Sequence, residues 1–534
     1  MPSPSPSLRS PASPVSPLLF RILSLSLPSL LLQLLLFLPS TLTLLSLPTA
    51  AVSAYGVSSL TSNVSCIMIL YGALQSLDTL LPVRFTDDPK TMYKVCKTCI
   101  FLTTAMTFPL LSTWYIGGGG GDGGQVAIRG ILVGVGIRPS LSSSVCSYLR
   151  YYGMAFPFLM LYNVYTRFLT AQGVVYPQVI VAAVAVVVHI VLIKVYLEEF
   201  TSTSSDVDVS LIMSATGIMQ GVNVVMNFSL LMIYTCILKP QDERTIPSLS
   251  SFLKIGEVFD VDALKLQGKL SFAGVLSLSE WLYWETLMFF VSSYTPAVSL
   301  TAQSIIYNLI PLLYMIPLGI SIGGGVVVGN FIGEGMLDSA RSCCFKLCKL
   351  GLSSSLGVSL LLFVLRPSVI GVFTTDVMVV KELSDAWLGV CMFIAQDHLF
   401  SVQAGILKSL GMQAMLSKLI ICVLGFVGVP SMYLSVKKSG FVLAWRLMWA
   451  PYFVLNALMY RQWKSADFEK VRDKLRKNSE NNENLKNKAI QPNYVSVMGE
   501  DEGGAIEEGT MKNDVVHERP GSDVTNVNVK LELT

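Results

Sequence analysis

Apolar runs of about 20 residues recur along almost the whole chain, and they restrict its possible folds more than any other feature. Of the 534 residues, 52% are hydrophobic and only 14% are charged, whereas a soluble protein keeps about a quarter of its residues charged. A segment of this length and composition crosses a bilayer as an α-helix, which satisfies its backbone hydrogen bonds internally. The sequence therefore predicts an all-α membrane protein with many spans, and not an enzyme.

The hydropathy pattern divides into twelve spans, arranged as two six-helix halves within 22–238 and 269–460. A polar linker, 239–268, separates the halves, and we expect it to be cytoplasmic. We expect the Ser- and Pro-rich arm 1–21 to be disordered, with a targeting segment as the alternative, and the charged tail 461–534 to be largely disordered. The predicted spans are 22–47, 51–82, 94–116, 144–169, 175–197, 210–238, 269–292, 299–328, 342–365, 380–404, 413–434 and 440–460. Pro28 and Pro39 are expected to interrupt the first span.

Charge and cysteine usage narrow the function classes further. Lys and Arg concentrate in alternate loops, which favours placing both termini on the cytoplasmic side. A net charge of +3 gives no reason to expect a nucleic-acid partner, and the ten cysteines form neither a disulfide framework nor a metal site. The Gly-rich run 117–124 lacks the Lys-Ser/Thr of a phosphate-binding loop, so we exclude an ATP-driven pump made of this chain alone. We expect a monomer in the plasma membrane, with a vacuolar, endosomal or organellar membrane as the alternative.

The stretch SLSEWLYWETLMFF (277–290) carries two carboxylates at what we predict to be the start of a spanning helix. Ionisable residues inside a span are costly, and they usually face a water-filled cavity. Glu280 and Glu285 lie five residues apart, or about 140° around a helix, so they face different surroundings. Carboxylates among aromatic rings such as that of Trp284 suit proton exchange or the binding of an organic cation. Buried acids bonded to neighbouring hydroxyls are the alternative.

Other ionisable residues in apolar sequence are Asp397, His398, His189 and Asp78. Asp397 lies in predicted span ten, and we expect it to exchange a proton. For His398 and His189 we expect packing or hydrogen-bonding roles. Asp78 lies near the end of span two, where capping or pairing with a basic group is expected.

Several segments resemble the multidrug and toxic compound extrusion (MATE) family, particularly its animal-type organic-cation extruders. The segments are SEWLYWE (279–285), AQSIIYNLIPLLYMIPLGISIGGGVVVGNFIGEGMLDSAR (302–341), RFLTAQGVVYPQV (167–179), DHLFSVQAGILKSLGMQ (397–413) and SLPSLLLQLLLFL (26–38). The resemblance implies a twelve-helix MATE fold and antiport of organic cations against protons, or against sodium ions in some relatives, with no other cofactor. It makes Glu280 and Asp397 the proton-coupling candidates. The substrate-binding candidates are Glu285, Gln33, Trp284, Tyr307 and Asn308.

Two departures from the family pattern keep other functions open. Asn308 stands where relatives carry a third glutamate, and an amide cannot exchange a proton. Residues 81–84, Leu-Pro-Val-Arg, replace the glutamine and glycine that relatives usually carry there. A lipid flippase of the wider superfamily and a non-transporting membrane scaffold or receptor are the alternatives. Neither of them would require Glu280.

Overall fold

Helices make up almost all of the part of the chain that the structure describes, as the apolar runs require. The structure, a computed structural model, describes residues 17–87, 91–115, 126–134, 139–198, 208–237 and 261–475. Most of the arm and tail, residues 239–260 of the linker and the Gly-rich run lie outside these ranges. The side chains of Glu285 and Asn308 also lie outside the described part. No β-strand occurs within the described ranges.

Twelve spans follow one another in chain order, and they confirm the predicted fold class. Spans one to six are Pro17–Ser46; Thr49–Ser62 with Asn63–Ile67 and Met68–Asp87; Met92–Ser112; Pro139–Met154 with Phe156–Ala171; Tyr176–Ile193 with Lys194–Glu198; and Val209–Ile237. Spans seven to ten are Val261–Ser277 with Ser279–Tyr294, Ala297–Gly333, Leu337–Val364 and Val377–Ser409. Spans eleven and twelve together comprise Gln413–Ile420, Ile421–Gly428 and Val429–Lys464. The kink at Gly440, inside the last of these helices, separates the two spans. Short helices occur at Val126–Gly134 and Arg366–Phe373, and residues 468–475 are also helical.

By length and composition alone, eight described helices are apolar and long enough to cross a membrane. The remaining spans do not meet this criterion of helix length and composition as separate helices. Span four is broken at Ala155 and span seven at Leu278, so their separate helices are shorter than 18 residues. Spans eleven and twelve count as one segment of 52 residues, although the non-helical backbone of Gly440 (φ 75°, ψ −161°) separates them.

Two sequence predictions about the spans are wrong. The first span is one continuous helix through Pro28 and Pro39, because a helix in apolar surroundings is retained where hydroxyls and neighbouring helices satisfy its freed backbone groups. Span seven begins at Val261, inside the predicted linker, so 277–290 lies in its middle and not at its start.

Each half has its own hydrophobic core, and the halves meet where helices approach closely. One core draws mainly on spans seven to twelve, and the other on spans one to six. A Cβ atom on Gly319 or Gly323 of span eight would overlap the backbone of span one, and one on Gly274 would overlap the carbonyl of Gly72. Glycine is required at these positions because only its missing side chain lets the two backbones approach.

Contacts between the halves lie at one end of the molecule, which we call the Lys408 end. They involve the amino-terminal halves of odd-numbered spans and the carboxy-terminal halves of even-numbered spans. Thr79 donates to the backbone carbonyl of Lys408 (2.5 Å), and Ser277 donates to Gln75 Oε1 (2.7 Å). Gln413 is hydrogen-bonded to Thr79. The two halves are therefore held together at this end in the observed conformation.

Span four of the first half and span ten, its counterpart in the second half, end in the same way. Gly173 follows span four and Gly411 follows span ten, with φ angles of 77° and 65°. In both turns the third residue after the helix donates its backbone N–H to a carbonyl five residues earlier, Val174 to Leu169 and Met412 to Leu407. This is the Schellman ending, in which glycine adopts the left-handed conformation without steric cost.

Candidate functional site

The break in span seven determines where Glu280 lies. Leu278 interrupts the hydrogen bonding of the span, and a new helical segment begins at Ser279. Glu280 therefore lies in the first turn of this segment, where free backbone N–H groups and the helix dipole favour a negative charge. Broken spans of this kind build ion and substrate sites in transporters.

One oxygen of Glu280 is held by two donors. Trp284 Nε1 donates to Glu280 Oε1 at 2.8 Å, and the hydroxyl of Tyr452 donates to the same oxygen at 2.5 Å. The other oxygen, Oε2, has no hydrogen-bond partner among the residues that the structure describes, although the residue is only 4% exposed. The carboxylate is thus fixed in orientation, while Oε2 is free to take a proton or face a cation.

Aromatic rings from spans seven, ten and twelve surround this carboxylate. Trp284 lies edge-on to Phe393 with ring centroids 4.5 Å apart, and Phe393 lies edge-on to Trp445 (5.6 Å) and Tyr452 (5.1 Å). The ring of Tyr283 packs against Tyr452 at 5.9 Å. The carboxylate provides the negative charge, and the surrounding rings provide the π faces, that bind organic cations.

Asp397 is the second acid of this cluster. It lies on span ten, is 1% exposed, and its Oδ1 has no hydrogen-bond partner within the described ranges. Its charge interacts with that of Glu280 across the cluster. Tyr314 of span eight lies within electrostatic reach of both acids. An unpaired buried carboxylate is costly. A cation or a proton that binds Asp397 would offset this cost.

The structure brings together only some of the predicted site residues. Glu280, Trp284 and Asp397 belong to one cluster, which supports their grouping but does not test their roles. Gln33 is half-buried on span one and makes no hydrogen bond to that cluster in the described structure. Tyr307 is half-buried on span eight, seven residues before Tyr314 and therefore on the same face. Glu285 and Asn308 remain predictions, because their side chains lie outside the described part.

Sequence reasoning missed the contributions of Tyr452, Phe393 and Trp445. Each is an aromatic residue in an apolar span, and nothing in the local sequence separates it from ordinary core residues. Tyr452 lies 172 residues from Glu280, so only the packing of span twelve against span seven reveals the contact. The hydroxyl of Tyr452 was the single available signal, since a buried tyrosine hydroxyl needs a partner.

A second polar cluster lies at the Lys408 end. Asp78 pairs with Arg167 at 3.1 Å, which agrees with the structural role expected for Asp78. Lys408 interacts electrostatically with both of them and also with Glu280. Lys408 belongs to the second half and the Asp78–Arg167 pair to the first. This cluster therefore contains charged groups from both halves.

His189 and His398 are buried in spans five and ten. His189 Nε2 is hydrogen-bonded to the hydroxyl of Thr43 at 2.9 Å, while its Nδ1 and the Nδ1 of His398 lack partners among the described residues. The bond to Thr43 agrees with the hydrogen-bonding role predicted for His189, and the role of His398 stays a prediction. No group of three His, Cys, Asp or Glu side chains in the described ranges could hold a metal ion.

Comparison with known proteins identifies a family model and several transporters that are similar to this chain. The MatE family model matches residues 26–195 and 273–434. An uncharacterized transporter of Schizosaccharomyces pombe is 24% identical over 366 residues, covering 68% of this chain and 63% of that protein. Multidrug and toxin extrusion protein 1 of Danio rerio is 24% identical over 376 residues, covering 69% and 58%. The match therefore spans about three fifths of the length of these relatives.

Solved structures with the same fold cover more of the chain. A eukaryotic MATE transporter superposes with a TM-score of 0.71 at 17% identity, covering 86% of this chain and 98% of that one. A MATE transporter of Vibrio cholerae in its bent form gives a TM-score of 0.68 at 12% identity, with the same coverages. At such identities the likeness shows the fold alone. Because the family model matches more than half of the chain, the chain belongs to the MatE family, and its spans make it a multi-pass membrane protein.

Proposed function

We propose that this transporter exports small organic cations in exchange for protons by alternating access. The observation that carries the proposal is the cluster of Glu280 and Asp397 within aromatic walls. Two acids close together, one anchored and one with an unpaired oxygen, suit ligands that are positively charged. The vertebrate relatives named for multidrug and toxin extrusion are consistent with this substrate class.

The proposed binding mode follows from the geometry of the cluster. A cation would approach Glu280 Oε2 and the unpaired oxygen of Asp397, with the rings of Trp284 and Phe393 providing cation–π attraction. Gln33, Tyr307, Glu285 and Asn308 are proposed to contact the substrate from spans one, seven and eight. Since an amide replaces a third acid at Asn308, the proton is assigned to Glu280 and Asp397 alone.

Coupling requires that the proton and the cation compete for the same carboxylates. Protonation removes the charge that attracts the cation, so the two ligands bind with an unfavourable coupling free energy. An outward-open carrier then gains a proton and releases its cation, and the inward-open carrier loses the proton and binds another. Closure of the halves at the Lys408 end, together with the loop charges that favour cytoplasmic termini, supports assigning the observed conformation to the outward-facing part of the cycle.

The test is efflux of tetraethylammonium from proteoliposomes under an imposed pH gradient. We expect the wild type to exchange the cation, and Glu280→Gln and Asp397→Asn to lose exchange while remaining folded and monodisperse. A sodium gradient is tested in parallel, because comparing the two gradients identifies the coupling ion. Exchange by Glu280→Gln at the wild-type rate would refute the proposal.

The other functions give different outcomes in the same vesicles. A lipid flippase would move a fluorescent lipid between leaflets in the Glu280→Gln variant as in the wild type. A scaffold or receptor would move neither substrate and would tolerate both neutralising substitutions.

A further inference from the structure

The segment that follows span twelve folds back onto the transporter. After Lys464 the chain turns, and residues 468–475 form a short amphipathic helix. Asp467 caps this helix, since its Oδ1 accepts the backbone N–H groups of Glu469 (3.1 Å) and Lys470 (3.2 Å). The buried positions are Phe468 and Leu475, seven residues apart and on one face.

This face docks on the second half. The guanidinium of Arg341 lies 5.2 Å from the ring centroid of Phe468, and it also donates to the carbonyl of Ala466 at 3.3 Å. Leu475 is 1% exposed and lies against Gly411, where an added Cβ would come within 3.3 Å of it. Gly411 ends span ten, so the helix covers the turn that carries Lys408.

The same segment also binds the first half. Arg84 Nη2 donates to the carbonyl of Leu475 at 3.3 Å, across 391 residues of sequence. Arg84 is 6% exposed and belongs to the Leu-Pro-Val-Arg sequence that departs from the pattern of relatives. A buried guanidinium that loses a partner carries a large desolvation cost, so this bond is expensive to break.

We propose that residues 466–475 form a brace that holds the two halves together at the Lys408 end. One side of the brace is fixed to span nine and to the turn after span ten, and the other is held by Arg84 of span two. The halves can part at this end only if Arg84 separates from Leu475 or if the whole brace lifts from Arg341. The brace therefore sets how readily the transporter opens at this end. This inference rests on the alternating-access cycle proposed above.

The experiment measures opening without requiring transport. A reporter cysteine replaces Ser277, which is buried between the halves and differs from cysteine by one atom. The rate at which a membrane-impermeant maleimide labels the reporter is followed by mass spectrometry of its peptide. Because no substrate or ion gradient is used, failure of the proposed cation exchange would leave this assay unaffected.

Two independent variants break the brace from its two sides. Arg84→Gln removes the bond to Leu475, and Leu475→Ala removes the packing on Gly411. Each is expected to raise the labelling rate about ten-fold, as the loss of one buried hydrogen bond or side-chain contact would predict. Arg472→Gln is the matched control, because Arg472 lies on the same helix and pairs with the exposed Asp473.

The outcomes separate cleanly. An equal rise with both variants, and none with Arg472→Gln, supports the brace. Labelling within about two-fold of the wild type in both variants, with folding verified by size-exclusion chromatography, would overturn it. If Arg84→Gln does not fold, Leu475→Ala alone decides the result.

Discussion

Replacing Tyr452 with phenylalanine removes one hydroxyl from the carboxylate site and leaves its ring in place. In the wild type this hydroxyl donates to Glu280 Oε1 at 2.5 Å, and Trp284 provides the second donor. The ring itself is held by Phe393 and Phe400, with centroids 5.1 and 5.6 Å away. The substitution therefore tests the hydrogen bond with little change in packing.

The size of the effect follows from the type of bond. A hydrogen bond to a charged group contributes about 1.5–3 kcal/mol, and 1.4 kcal/mol corresponds to about a ten-fold change in an equilibrium constant. If the bond holds the carboxylate where the cation binds it, Tyr452→Phe weakens cation binding about 10- to 100-fold. The dissociation constant of labelled tetraethylammonium from purified protein measures this directly.

The control is Tyr283→Phe. Tyr283 packs its ring against Tyr452 but donates no hydrogen bond to Glu280, so its hydroxyl should be dispensable. We expect that variant to bind the cation as the wild type does. A dissociation constant for Tyr452→Phe within about two-fold of the wild type, in folded protein, would show that orienting Glu280 does not matter for binding.

Three further predictions concern an ion pair in the first half, a close approach between the halves, and the cap of the brace. Substituting Asp78 and Arg167 by leucine, singly and together, should reveal a coupling free energy of about 1 kcal/mol in thermal unfolding, and additive effects would contradict the ion pair. Gly323→Ala should destabilise the fold by about 1–3 kcal/mol because its methyl overlaps the span-one backbone, whereas Gly357→Ala, in open space, should not. Backbone N–H groups and an ammonium hold the pKa of Asp467 below 3.8, so its cap is complete above that pH and lost as the pH falls through the lowered pKa. Asp467→Ala should therefore raise the labelling rate of the reporter cysteine several-fold at neutral pH, since losing an N-cap costs about 1 kcal/mol; a rate equal to that of the wild type would contradict this.

The sequence predicted the twelve spans and the two acids because both follow from local properties. Apolar length fixes a spanning helix, and an ionisable residue within it, such as Glu280 or Asp397, stands out against its neighbours. Partners contributed by distant spans could not be predicted this way, and Tyr452 is the clearest case. The break at Leu278 was also missed, since neither proline nor glycine marks it. Pro28, which does mark a possible break, lies in a continuous helix.

The brace shows a different limit of sequence reasoning. A charged segment follows span twelve, and the spacing of Phe468 and Leu475 within it does not say what that face covers. Arg84 was visible only as a departure from a family pattern. Its role emerges from a hydrogen bond across 391 residues, which depends on the packing of both halves.

The most direct test of the central claim is the number of protons released when the cation binds. Purified protein in weakly buffered detergent solution is mixed with tetraethylammonium near neutral pH, and the pH change is calibrated against added acid. If cation and proton compete for Glu280 and Asp397, the wild type releases up to about one proton for each cation bound, and Glu280→Gln releases far fewer. Binding of the cation by the wild type without any proton release would contradict proton-coupled exchange at this site.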